Sequence, residues 1–367
     1  MAVWVAAASA SLPMVGLFAI GQAFGPADVV RLTLLEVNVS TSRTTRGLSF
    51  IVGVALLCTV AFGGETSTKI VISADGKGGY TFDTGVLRGT LCPNGKLQGL
   101  TSVTHIPSGT RLDRSMGILS YYRVFTTGKR YGTGGWEWPS TAKLLPDGAV
   151  QVTSPATADR PFDMTAVYRW KDPQTLDIET TVTAHADVNG FESFLASYFD
   201  EAFASPYVWT RHEGGGEIRA PFFLLGEKSY GDWLMFTDQG ARIPMIQDGR
   251  WSIEPNPVNW TILPRLAAPL CLRRGQANGL TVILMAPAGD CFAVATPYAG
   301  EAHNSLYLSL FGRNFKAGQT SRVRTRFLVA SGVSDERVTA FYHQYVSELS
   351  HPIRPTDATW PGWMDTR

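Results

Sequence analysis

Charge is scarce in this chain and neither sign prevails. Charged residues make up 17% of the sequence, with 32 basic residues against 31 acidic ones. Setting aside residues 1–63 removes Arg31, Arg43 and Arg46 against Asp28 and Glu36, which leaves the two signs balanced. Without a basic surplus, no electrostatic grip on nucleic acid or on an anionic membrane surface is expected. Cysteine is equally sparse, at four residues, and none are paired as CxxC. HExxH, Walker, GxSxG and dinucleotide-binding fingerprints are all missing, so zinc-protease, nucleotide and serine-hydrolase chemistry of those types lose their usual signatures. No metal and no cofactor is expected. No internal repeat or low-complexity tract interrupts the chain.

What is present is turn-forming and aromatic: 37 glycines, 21 prolines, and 10 Trp, 12 Tyr and 19 Phe. This suits a β-protein with many turns and ring-lined surfaces. Rings mixed with polar groups are what a sugar requires, since its C–H face stacks on an aromatic and its hydroxyls need hydrogen-bond partners.

The first sixty-odd residues differ from the rest. Arg43 and Arg46 precede an uninterrupted apolar run from Leu48 to Phe62, and Ala61-Phe62-Gly63 supplies small residues before Gly64. That order is the pattern of a secretory signal peptide. At about fifteen residues the run is shorter than the roughly twenty of a membrane span. An uncleaved anchor is the alternative, and would be the chain's one membrane contact. The expected location is periplasmic or extracellular. Met1 to Phe24 is a second apolar run without a basic flank, read either as lying upstream of the true translation start or as half of a membrane hairpin. Of the cysteines beyond this segment, Cys92, Cys271 and Cys291, at least one must be a free thiol. A Cys271–Cys291 bridge and plain core packing both remain open.

From Lys69 to Ala330 the pattern is strand after strand, with turn signals every eight to twelve residues. Asp147-Gly148 marks a hairpin tip. Further strands are expected at Lys228–Phe236 and Gly249–Pro255, both rich in rings. Arg322, Arg324 and Arg326 alternate as a solvated strand face would. Gly117–Phe125 reads as a strand that carries Arg123 among rings. The glycine-rich loop after it sets Trp136 and Trp138 around Glu137, either pinned under the domain edge or lining a cleft. One helix is expected late in the chain, capped by Ser334, with Val338, Phe341, Tyr342 and Tyr345 in one apolar stripe.

The stretch from Phe162 to Trp209 is the organising one. It turns at Lys171–Gln174, and Leu176, Ile178 and Val182 share one parity of the return strand, the signature of a half-buried antiparallel strand. Farther on, Phe191 to Phe203 surrounds Glu192, Asp200 and Glu201 with aromatics. A carboxylate there is costly unless it is hydrogen-bonded or faces a ligand. Tyr198 and Asp200 share a parity, which favours Asp200 as an inward carboxylate of raised pKa. A cap on a turn is the plainer alternative. His212 beside Glu213 offers an acid and a base, provided a loop brings the adjacent side chains together.

Val167-Tyr168-Arg169-Trp170 through Thr175-Leu176-Asp177-Ile178 resembles the central hairpin of the galactose mutarotase-like superfamily. Ala196-Ser197-Tyr198-Phe199-Asp200 resembles the segment where aldose epimerases carry His-x-Tyr-Phe-Asn. Leu310 to Arg326 resembles their last hairpin. The resemblance spans residues 65–332 and implies an all-β, two-sheet antiparallel supersandwich, here followed by the C-terminal helix. It also implies a sugar pocket around Tyr198. The family's acid histidine falls at Ala196, which has no proton to give, unless His212 or His303 replaces it.

These readings divide the chain into 1–63 (extension and signal or membrane segment), 64–350 (supersandwich with helix) and 351–367 (irregular tail). The expected function is a carbohydrate-binding or carbohydrate-active protein. Tyr198, Asp200, Glu201, His212 and Glu213 are the candidate proton carriers. Arg123, Trp136, Trp138 and His303 are the candidate saccharide contacts. A non-catalytic module binding a glycan or a partner protein is the alternative.

Overall fold

In the return strand of the central hairpin, Leu176, Ile178 and Val182 are buried while Asp177, Glu179 and Thr181 are only half-buried. That alternation sets the architecture, because each strand with one apolar face must lay it against another layer. The computed structural model describes residues 70–350 apart from 115, 212–221, 239 and 278. His212 and Glu213 therefore lie outside the described residues.

Two large sheets face each other. The nine-stranded one has the hairpin Phe162–Asp172 and Thr175–Ala184 near its middle, flanked by Thr320–Ser331 on one side and Val150–Ser154 on the other. The seven-stranded one is centred on Val188–Tyr198, between Ser120–Thr126 and Ser305–Phe315. A five-stranded antiparallel meander over Val71–Arg111 precedes them, a third sheet beyond the two expected. The three share one apolar interior: Leu87 and Leu100 of the meander join Leu176 and Ile178 of one sheet and Leu195 and Leu308 of the other. The fold is thus all-β and antiparallel with a C-terminal helix, as the strand and turn pattern anticipates.

One pairing breaks the antiparallel rule. Trp233–Thr237 and Thr261–Leu263 run parallel at the edge of the seven-stranded sheet. Parallel neighbours cannot be joined by a tight turn, so the chain between them must cross a face of the sheet. It does so on the outer face, where Ile246 and Trp251 pack with Phe125 and Phe194. The strand expected over Gly249–Pro255 is instead part of this crossover, and Arg250–Ser252 forms a 3₁₀ turn. The strand expected from Lys228 begins only at Trp233, after a 3₁₀ turn at Lys228–Tyr230.

The outer face of the nine-stranded sheet is covered by the helix Asp335–Ser350. Ser334 caps it, its Oγ accepting from the Arg337 N–H at 3.3 Å. Val338, Tyr342 and Tyr345 meet Leu270, Ile283 and Met285 of the sheet. Arg326 lies beneath the helix and pairs with Asp177 at 2.6 Å and Glu348 at 3.0 Å. The arginine alternation on that strand is thus a solvated face only in part: Arg322 is exposed and Arg324 half-buried, each beside a carboxylate, Glu179 and Asp290, whereas Arg326 is buried. Cys271 and Cys291 are both buried and free, so no bridge joins them. Among the described residues, no helix is long and apolar enough to cross a membrane.

Candidate functional site

The crossover does not lie flat on its sheet. Between the two opens a cleft of about 570 Å³, floored by strand residues and walled by the crossover. Tyr122, Arg123, Tyr198 and Tyr307 come from the sheet, and Trp251, Asn256 and Trp260 from the crossover.

A bulge delivers Tyr122 and Arg123 together. Leu195 pairs with Tyr121 but Phe194 pairs with Arg123, so Tyr122 is an extra residue in its strand. Such an insertion re-aims side chains that strict alternation would send to opposite faces. Tyr121 points inward, where its hydroxyl meets Thr180 at 2.5 Å, while both Tyr122 and Arg123 line the cleft. Trp136 then stacks on Tyr122 with ring centroids 4.8 Å apart. This contact needs the glycine-rich loop pressed against the strand. A Cβ on Gly135 would sit 2.6 Å from the Tyr121 carbonyl oxygen.

Arg123 is 2% exposed and has rings on either side, Tyr122 at 4.8 Å and Trp251 at 5.2 Å. Its Nη2 donates to the Asn256 carbonyl at 2.6 Å and to the Tyr122 hydroxyl at 3.2 Å. Its Nε and Nη1 have no hydrogen-bond partner among the described residues. Arg130 stands behind it, donating to the carbonyls of Ile253, Pro255 and Thr133. Burial, and then repulsion from Arg123, holds the Arg130 pKa below its ordinary value.

The even positions of the central strand face the cleft side. Glu192, Phe194, Ala196 and Tyr198 lie on it, opposite Phe191 and Leu195 in the shared interior. Glu192 is the carboxylate that the aromatic stretch had to satisfy. It is fully buried and accepts from Arg250 Nη1 at 2.9 Å, and Arg250 is held in turn by Asp248 at 2.8 Å. Burial raises the Glu192 pKa against the pull of Arg250. Gly190 makes the approach feasible, since a Cβ there would lie 2.8 Å from Arg250 Nη2. This buried pair pins the foot of the crossover to the sheet.

Tyr198 and Tyr307 meet edge to face at 6.0 Å. Burial pushes Tyr198 well above the usual phenol range and Tyr307 up to about 12, so both hydroxyls stay neutral hydrogen-bonding groups at ordinary pH. His303 lies at the cleft wall, 6.5 Å from the Tyr198 ring and 5.4 Å from Trp233. Its Nδ1 is 2.8 Å from the Glu301 carboxylate, which leaves Nε2 as the ring nitrogen available to a ligand. Among the described lining residues, Glu137 is the one carboxylate.

The structure thus gathers Arg123, Trp136, Tyr198 and His303 of the residues singled out from sequence. It does not bring three others to the cleft. Asp200 caps the 3₁₀ turn Glu201–Phe203, accepting from the Ala202 N–H at 3.0 Å. The parity that pointed it inward fails because the strand ends at Tyr198. Glu201 is the exposed first residue of that turn. Trp138 turns into the interior, where Nε1 donates to the Tyr131 carbonyl and the ring meets Phe162 edge-on. The 3₁₀ turn Gly135–Glu137 separates its direction from that of Trp136. Sequence reasoning missed Tyr307, Trp260 and Asn256. Only Tyr307 left a signal, as the aromatic between Leu306 and Leu308 in an otherwise aliphatic register.

No family model matches the chain, and no curated protein matches it. Solved structures do. A galactose mutarotase-related enzyme from Lactobacillus acidophilus is 9% identical, with a TM-score of 0.43, covering 70% of this chain and 99% of its own. An alpha-N-acetylgalactosaminidase from Bifidobacterium bifidum is 11% identical, with a TM-score of 0.45, covering 73% of this chain and 38% of its own. A heparan sulfate lyase from Pedobacter heparinus is 8% identical, with a TM-score of 0.38, covering 70% of this chain and 36% of its own. Function has to be argued from the cleft.

Proposed function

We propose that the cleft binds a saccharide. The observation that carries this reading is the pairing of aromatic walls with buried polar groups on one floor. Trp136, Trp233, Trp251 and Trp260 offer rings, Arg123, Tyr198 and Tyr307 are the buried hydrogen-bonding groups of the floor, and His303 adds an exposed one at the wall. A pyranose has the matching duality of apolar C–H face and hydroxyl rim. A drug-like apolar ligand would leave the floor polar groups unpaired, at a cost for each.

A catalytic version rests on one further observation. Glu301 fixes His303 by its Nδ1, the arrangement that orients an imidazole for proton transfer through Nε2. In that version His303 stands in for the histidine missing at Ala196. The paired carboxylates of a glycosidase are not laid out among the described lining residues, which favours proton transfer at a ring over hydrolysis. Export of the chain is part of the proposal, on the order of Arg43/Arg46, apolar run and Ala61-Phe62-Gly63.

Two measurements test this. A glycan array probed with the 64–350 chain is expected to light up a restricted set of saccharides, with binding weakened by about tenfold in Trp260→Ala. An array without signal overturns the reading. His303→Ala is expected to abolish any turnover of the captured sugar while binding persists. Turnover that survives in this variant rejects the catalytic version alone.

A further inference from the structure

We infer that the saccharide held in this cleft is acidic: it carries an oxyanion, a uronate carboxylate or a sulfate ester, that answers the charge of Arg123. The inference rests on the saccharide reading above and narrows it.

The argument begins with an imbalance. A buried guanidinium is tolerated when a carboxylate neutralises it or its donors are filled. Two other arginines are as deeply buried: Arg250 has both Glu192 and Asp248, and Arg273, which has no acid among the described residues, fills all three of its nitrogens with carbonyl, amide and hydroxyl oxygens. Arg123 has neither form of compensation. It is as buried as Arg250, yet no carboxylate lies within ion-pairing distance among the described residues, and two of its three nitrogens have no acceptor. Its only hydrogen-bond partners among the described residues are a backbone carbonyl and a phenol. Arg130 adds a second guanidinium, bonded to the carbonyls of Ile253, Pro255 and Thr133 and to the Tyr122 side chain, drawn by Glu137 at longer range, and close enough to Arg123 for the two to repel. Lys96 stands exposed at the rim.

The described groups that face this charge are few. Glu137 is at the rim and exposed, and Glu301 is engaged by His303. Tyr198 and Tyr307 are neutral, since burial keeps their protons on. A neutral sugar would fill the rings and leave the positive field uncompensated. An anionic one supplies the missing counter-charge inside a site already partly shielded from water, where such pairing is strong.

The test separates the two readings. The array of neutral and acidic glycans is followed by calorimetric titration with matched probes: tri-galacturonate against its carboxyl-reduced form, and unsulfated against 6-sulfated chondroitin disaccharide. The expected result is at least about tenfold tighter binding of the acidic member of a pair, weakening as salt is added. The first pair reports a carboxylate and the second a sulfate. Arg123→Gln should erase the preference, so that within this variant the acidic and neutral members of a pair bind alike. Lys96→Met, at an exposed position, should reduce acid binding by about threefold and does not depend on the buried variant folding. Equal or tighter binding of neutral members overturns the inference and leaves the saccharide reading standing. Silence across all glycans overturns both.

Discussion

The two outer faces of the sandwich are closed in different ways. The nine-stranded sheet is covered by a helix whose apolar stripe meets aliphatic side chains, and the cations at that boundary are neutralised: Arg326 by Asp177 and Glu348, Arg274 by Asp335. The seven-stranded sheet is covered by an irregular crossover that leaves a cleft and keeps Arg123 without an acid. A regular helix presents one stripe and can seal a flat surface. An irregular segment cannot, and the gap beneath it is where polar groups remain for a ligand. Arg326 and Arg274 of one face have acids and Arg123 of the other has none among the described residues, and that difference in charge compensation distinguishes the two surfaces.

The broadest way to break this contrast is to show that the faces belong to separate folding units. Because both sheets share one interior, residues 64–350 should unfold in a single calorimetric transition. Two resolved transitions would divide them. Next in size is the pin of the crossover. Arg250→Met strands the buried Glu192 carboxylate and should cost about 3–5 kcal/mol, with saccharide binding lost as well. Denaturation within about 1 kcal/mol of wild type, at unchanged affinity, would deny the pin its role.

On the helix side, Val338→Ala should cost about 2–3 kcal/mol in urea denaturation and leave glycan affinity untouched. A change in affinity would mean that the helix-covered face is coupled to the cleft. Trp260→Ala should do the reverse, weakening binding by about tenfold with a smaller loss of stability than Val338→Ala. The smallest effect is a pH dependence. Burial opposes ionisation of Glu348, but Lys171, Gln344 and Arg326 overcome it, and its pKa lies below the ordinary carboxylate value. The stability it contributes is therefore present above that ordinary value and lost as pH falls through the lowered one. Glu348→Gln should flatten this acid limb by at most about 1 kcal/mol. An unchanged slope in stability against pH would remove Glu348 from the helix contact.

Much of the helix-covered sheet was legible in the sequence, because local periodicity builds it. Leu176, Ile178 and Val182 mark their strand, and Ser334 caps the helix where its stripe begins. The cleft was legible only in part. Arg123, Trp136, Tyr198 and His303 stand out as unusual residues in their own segments. Trp138 looks equivalent to Trp136 until a 3₁₀ turn sends the two rings opposite ways. The bulge at Tyr122 is a property of two strands together and leaves no mark on one. Asn256 and Trp260 reach the site only because a parallel pairing forces their segment across the sheet, a long-range fact that no window of sequence contains.

That parallel pairing has a consequence for how such a protein can change. A hairpin loop fixes the register of the strands it joins, so altering its length disturbs the sheet. A crossover joins strands that are paired independently of it, and lengthening it adds only a slowly growing entropy. The wall between Asp248 and Thr261 is thus a replaceable cassette, anchored at one end by Arg250 and at the other by the edge strand. Exchanging its sequence offers a route to new ligand preferences on an unaltered scaffold.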